Sequence, residues 1–248
     1  GPQPARRYSV SGVERYLSCP FKYYASSVLR LGEEPDDELI MTPRTRGRFA
    51  HEVLRAFFEE WAATGQGPVD GASLEAARAL AREVAERHLD QLPSRDRAVE
   101  RAWLLGSPAA AGVVDRLLLL EVERPGRVRE RLLEHPFDGR FILEGTDGER
   151  TVTLRGIADR IDLLEGGGLR VVDYKTGRAP DRNLSVQLPV YGRCAEQQLR
   201  ERDGREWVTV DAGYVAFGEP RGWVPLDRRS SVDEAMSEGQ QRFLEAID

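Results

Sequence analysis

Two acids and a lysine carry the chemistry of this chain. Asp173 and Lys175 lie two residues apart in VVDYK, and Asp159 precedes them in GIADRIDLL, across a glycine turn at 165–168. Side chains alternate faces along a strand, so Asp173 and Lys175 share one face and Tyr174 points the other way. Charges gathered at one sheet edge, beside an apolar core, are costly unless partnered. The simplest partner for two carboxylates is a divalent cation, which takes oxygen ligands. Lys175 then stands where an ammonium orients a water, binds a phosphate oxygen or, with a lowered pKa, accepts a proton. A metal with a positioned water is the machinery that hydrolyses a phosphodiester. The same three residues also fit an ordinary surface ion pair, and on their own they do not decide between the two. Asp162 lies three residues past Asp159, so it faces away and is predicted to pair with Arg160 or Arg155.

The elements that position these residues follow from periodicity. Strands are predicted at 127–135 and 140–144, joined by a turn at Asp138-Gly139, and then at 151–164 and 169–174. Val171 and Val172 imply burial on both faces. Before them, residues 45–63 read as a helix, with Phe49, Val53, Leu54, Phe57, Phe58 and Trp61 at three- and four-residue spacing. Gly47 and His51 share one of its faces. Ser11 and Glu14 form a predicted capping box that opens a short helix ending at Leu17. Pro20 starts another, with Phe21, Tyr23 and Tyr24 as aromatic anchors. An acidic loop is predicted at 32–43, a helix capped by Ser73 up to about Gln91, and a single helix over 97–122 that stops at Pro125-Gly126. Beyond the central strands come a helix at 185–202, strands at 207–217 and 223–226, and a closing helix at 231–247. The assembly is an α/β fold, a mixed sheet core flanked by helices. Residues 1–7 read as a tag remnant and leader, and 8–248 as a single domain, mainly helical over 8–126 with the sheet core over 127–248.

Composition narrows the function. The net charge of -6 lacks the basic footprint of most nucleic-acid binders. Arg44, Arg46 and Arg48 nevertheless cluster, and Arg178 and Arg182 follow Lys175, so a local basic path beside an acidic site is compatible with the total. Lysine occurs only at positions 22 and 175, which sets Lys175 apart in an arginine-rich chain. No apolar run approaches the roughly 20 residues of a membrane span. Two cysteines, Cys19 and Cys194, make no disulfide framework, and a reducing cytoplasm is the expected setting.

Gly156-Ile157-Ala158-Asp159 followed by Val172-Asp173-Tyr174-Lys175-Thr176-Gly177 resembles the core of the PD-(D/E)XK nuclease superfamily. The closer resemblance is to its RecB-like branch, found in AddB and RecB helicase-nucleases. Gly47 to His51 resembles that branch's GxxxH helix, and Gln187 to Tyr191 its QxxxY helix. Tyr16 to Tyr24, with CPFKY inside it, resembles the opening segment of AddB-type nuclease domains. The resemblance implies a restriction-endonuclease-like sheet core and a DNA nuclease, Mg²⁺- or Mn²⁺-dependent, serving as an exonuclease module in double-strand break repair. It implies that Asp159, Asp173 and Lys175 are catalytic, and that His51, Asp159, Asp173 and the Tyr174 backbone carbonyl bind metal. Gln187, Tyr191, Arg48 and Arg178 are expected to contact DNA or support the site. The implied partners are DNA, single-stranded or end-containing, and a helicase domain or partner subunit; no membrane is expected. The competing expectation is a catalytically silent nuclease-fold module that binds DNA or a partner. In AddB-type domains the CPF(K/R)Y cysteine joins three later cysteines around an iron–sulfur cluster. Here Cys19 has no such companions, so a 4Fe-4S cluster is not expected in this chain, and Cys19 is a candidate ligand only in a longer parent. His88 and His135 carry no motif and are expected to be structural.

Overall fold

The computed structural model describes residues 6–31, 41–124, 126–227 and 231–248. The opening Gly-Pro, the predicted acidic loop up to residue 40 and the Pro125 helix stop lie outside the described residues. In chain order the strands are β1 (Arg7–Ser9), β2 (Gly106–Ser107), β3 (Ala110–Ala111), β4 (Val128–Gly145), β5 (Gly148–Leu164), β6 (Gly168–Lys175), β7 (Val208–Ala216) and β8 (Trp223–Pro225). The α-helices are α1 (Val10–Ser18), α2 (Pro20–Tyr23), α3 (Pro43–Ala63), α4 (Leu74–Leu89), α5 (Ser94–Leu105), α6 (Val113–Glu123), α7 (Gln187–Asp203) and α8 (Val232–Ile247), and a π-helix over Tyr24–Val28 continues α2.

Among the described residues, six strands form one mixed sheet. β4 and β5 make a long antiparallel hairpin, and β6 pairs antiparallel with the far half of β5. α7 then crosses over, so β7 returns parallel to β6, and β8 closes that edge antiparallel. β1 adds in parallel to the near half of β5, from Arg7↔Thr153 to Ser9↔Arg155. Val171 and Val172 are both buried and enter different cores. Val171 packs with Leu188, Tyr191 and Phe243 under α7 and α8. Val172 packs with Phe49, Phe57 and Phe58 of α3. Each large apolar side chain buried this way contributes about 1.5–3 kcal/mol, so α3, which carries His51, is held firmly against the back of the sheet.

Five local expectations are corrected. The turn predicted at Asp138-Gly139 is absent: β4 runs straight through, with Asp138↔Arg155 and Gly139↔Leu154 in register. Phe137, Phe141 and Leu143 are buried on both sides of that dipeptide, and their packing outweighs its turn preference. The hairpin turns instead before Gly148, which has φ +107. The helix predicted at 97–122 is two helices, α5 and α6, split by the small β2–β3 hairpin. Gly106 adopts φ +86 there, and Pro108 follows it, so turn chemistry interrupts the leucine pattern. The cap of α1 is Ser9, which accepts from the Gly12 amide, rather than Ser11, and Glu14 reaches elsewhere. Ser73 does not cap α4 with its side chain; its hydroxyl bonds Asp70. The aromatic anchors of the CPFKY segment are also largely unburied. Phe21 and Tyr24 are exposed, while Tyr23 is half-buried edge-on to Tyr16. The closing helix is present as expected, and it opens on a capping box at Ser231–Glu234 that the sequence reading did not name.

Candidate metal centre

The site forms where two strands part. The β5–β6 ladder ends at Arg160↔Val172. Past that point the Asp159 carboxylate takes the place of a backbone rung, accepting from the Tyr174 amide at 2.8 Å. Asp173 is buried on the neighbouring strand, and its Oδ2 lies 2.7 Å from Lys175 Nζ. That contact is off the hydrogen-bond direction, so Asp173 Oδ2 remains a buried oxygen without a hydrogen-bond partner. Lys175 donates to Gln187 Oε1 at 3.2 Å and sits over the Tyr214 ring.

His51 closes the site from α3. Its Nε2 is 3.1 Å from the Tyr174 carbonyl, and its Nδ1 is 3.5 Å from Asp159 Oδ1 and 3.7 Å from Glu134 Oε1. Ligand atoms of His51, Glu134 and Asp159 all lie within 4.8 Å of one another. Glu134 holds a positive φ of 46, a conformation non-glycine residues seldom adopt, at the point of β4 level with the strand separation. Backbone strain of this kind turns attention to function. A cleft of about 650 Å³ opens onto His51, Glu134, Tyr174 and Lys175, with Arg48 and Arg55 of α3 on its wall.

The electrostatics are those of a site short of positive charge. Burial, reinforced by Asp173, raises the Asp159 carboxyl to about 7. Burial alone would lower His51, but Glu134, Asp159 and Asp173 outweigh it and raise the imidazole to about 9. Lys175 is likewise raised, since Asp173, Glu14 and Asp159 overcome the cost of burying its ammonium. The Asp159 carboxyl, raised toward holding its proton, and a histidine that keeps one are groups that a bound cation would discharge. The donors fit such an ion. Carboxylate and carbonyl oxygens suit Mg²⁺ or Mn²⁺, and the imidazole favours the transition metal of the two.

The predicted residues therefore divide. His51, Asp159, Asp173, Lys175 and the Tyr174 carbonyl converge, and Gln187 touches Lys175. Tyr191 is buried against Gly156, where a Cβ would stand 2.5 Å from its ring, so it packs within the protein rather than facing the cleft. Arg48 is exposed at the cleft wall. Arg178 is exposed past the end of β6 and does not line the cleft. Arg46 is withdrawn from the basic path by Glu100 of α5. Asp162 faces the other side, as expected, and is bonded by Arg160 and Arg131, with Arg155 playing no part. His135 bonds Gln198 and His88 bonds the Val84 carbonyl, both away from the site. Cys19 is half-buried and Cys194 buried, each a free thiol. Sequence reasoning missed Glu134. The signal was its position across the hairpin from Asp159, which the misplaced turn at Asp138-Gly139 concealed.

The fold and the site define an α/β protein with a candidate carboxylate–histidine cation centre at the separation of two central strands. The sequence pattern of the PD-(D/E)XK nuclease superfamily matches residues 7–246, and the chain belongs to that superfamily. It is 30% identical over 246 residues to an ATP-dependent helicase/deoxyribonuclease subunit of Moorella thermoacetica, covering 88% of this chain and 20% of that protein. The protein of the same name in Symbiobacterium thermophilum is 32% identical over 208 residues, covering 74% of this chain and 17% of its own length. The chain thus spans about a fifth of the relatives it matches. No described helix is long and apolar enough to cross a membrane.

Proposed function

We propose that this chain is a metal-dependent deoxyribonuclease that hydrolyses phosphodiester bonds. In this reading residues 8–248 form one nuclease domain, an exonuclease module of a helicase-nuclease working at broken DNA ends. The observation that carries the reading is the convergence of His51, Asp159, Asp173 and Lys175 at one strand separation. His51, Asp159, Asp173 and the Tyr174 carbonyl would hold Mg²⁺ or Mn²⁺, with Glu134 as a further acidic donor. When bound, such an ion supplies Lewis-acid charge and lowers the pKa of a water. Lys175, held by Asp173 and Gln187, orients the attacking water and binds the scissile phosphate. Arg48 offers a guanidinium to the backbone of the entering strand. The relatives' names supply the context of a helicase partner and a DNA substrate, single-stranded or carrying an end.

The test is cleavage of end-labelled single-stranded and linear duplex DNA with Mg²⁺ or Mn²⁺, with chelator and Lys175→Ala as controls. Metal-dependent cutting that Lys175→Ala abolishes is expected. Absence of cleavage on every DNA, or undiminished cutting by the variant, would sink the reading and leave a silent DNA- or partner-binding module.

A further inference from the structure

α7 lacks a cap of its own. The residue preceding it, Val186, has no capping side chain. Ser185 sits one residue too early, and its hydroxyl is engaged by Tyr214. The acceptor comes from a distant part of the chain. Glu14, on α1, places Oε2 3.0 Å from the Val186 amide, 3.1 Å from the Gln187 amide and 3.5 Å from Ser185 Oγ. Burial raises its carboxyl, against those two amide hydrogen bonds and the nearby Lys175. A carboxylate at a helix N-terminus satisfies orphan donors and complements the dipole. Here it also fixes where Gln187 begins the helix.

What Glu14 seats is the cradle of Lys175. Gln187 accepts from the ammonium, and Tyr214, bonded to Ser185, lies 5.7 Å beneath it. One oxygen on α1 therefore anchors the backbone of Gln187 and touches Ser185, the serine that bonds Tyr214. We propose that Glu14 is a positioning residue for Lys175. It acts through the first turn of α7, and so couples the amino-terminal helix to the nuclease centre. The proposal rests on the nuclease reading above for its kinetic consequence, though not for the contact itself.

The test uses Glu14→Met, which keeps the volume and removes the acceptor, and Glu14→Gln, which keeps one acceptor oxygen on the same stem. Both are combined with Gln187→Ala. Glu14→Met is expected to lower kcat about tenfold, the scale of lost supporting contacts at a metal site, with KM for DNA and Mn²⁺ affinity within about twofold. Glu14→Gln should restore most of kcat, because a single oxygen accepts both amides. In the Gln187→Ala background Glu14→Met should add little, the non-additivity of residues acting in series. Only two lysines occur, at positions 22 and 175, so lysine side-chain NMR resolves Lys175 against an internal reference. Glu14→Met should move the Lys175 resonance and leave Lys22 in place. An unmoved Lys175 signal, full additivity with Gln187→Ala, or a Glu14→Gln variant as impaired as Glu14→Met would each overturn the proposal. The NMR experiment decides the coupling even if the wild type cuts no DNA, so the two readings fail separately.

Discussion

Two acids three residues apart on β5 live in opposite electrostatic worlds. Asp162 is fully buried on the back of the sheet, bonded by Arg160 and Arg131, with Glu121 sharing both guanidiniums. Burial would raise its carboxyl, but Arg160 and Arg131 overcome that and hold it far below the usual carboxylate range. Phe58 lies against both arginines, 4.7 Å from Arg160 and 4.2 Å from Arg131, so the cluster is also packed. Asp159 is half-buried on the same strand with Asp173 for a neighbour, and its carboxyl is raised to about 7. The first acid brings its counter-ions from the chain. The second lacks enough of them, and that deficit is what a cation-binding site would show and a structural ion pair would not.

Substitutions break this contrast at either end. The largest effect is expected from Asp159→Asn, a loss of cleavage on the order of 10³-fold, read by single-turnover kinetics. Its effect on metal-free stability has the opposite sign. A raised acid destabilises the fold once ionised, so Asp159→Asn should be more stable than wild type above pH about 7. That advantage should shrink as pH falls and vanish below 3.8, the ordinary value. Thermal melts across that range check the sign.

On the back of the sheet, Asp162→Asn leaves Arg160 and Arg131 short of a buried anion. It should cost about 3–5 kcal/mol in urea unfolding while Mn²⁺ affinity per folded molecule holds. A depressed acid stabilises above its unfolded pKa, so this cost should be present at neutral pH and fade as pH falls through the acid range. Glu134→Gln is expected to weaken Mn²⁺ binding about 10–100-fold by calorimetry; unchanged affinity would remove Glu134 from the site. The smallest change is at Gly156, where alanine drives a Cβ into the buried Tyr191 ring. About 1–3 kcal/mol of stability should be lost, and the same substitution should cost much less in a Tyr191→Ala background, where the ring it meets is gone.

Much of the site was legible because motif residues fix a pleat or a helical face. Asp173 and Lys175 share a face by strand periodicity alone, and Gly47 and His51 by helical spacing. Asp162 was rightly set apart from Asp159 on the same argument. What was hidden depends on register and on distant partners. Glu134 becomes a neighbour of Asp159 only once β4 is known to run unbroken through Asp138-Gly139. Glu14 looked like a local capping residue, because the short-range pattern of serine and glutamate is the same whether the carboxylate turns back on its own helix or reaches across to α7. Arg46 resembled its exposed neighbour Arg48 until α5 placed Glu100 against it. The CPFKY aromatics looked like core anchors, yet Phe21 and Tyr24 face outward.

The missing rung between β5 and β6 has a consequence for how such proteins change over time. Where Asp159 stands, the backbone ladder has already ended, and one side-chain bond to the Tyr174 amide spans the gap. Replacing that aspartate forfeits a side-chain contact and relieves a repulsion; it breaks no strand pairing. Chemistry and architecture are thus decoupled at this seam. A lineage can lose cutting in a single step while the scaffold survives, and inactive cousins built on intact sheets should be common descendants of this design.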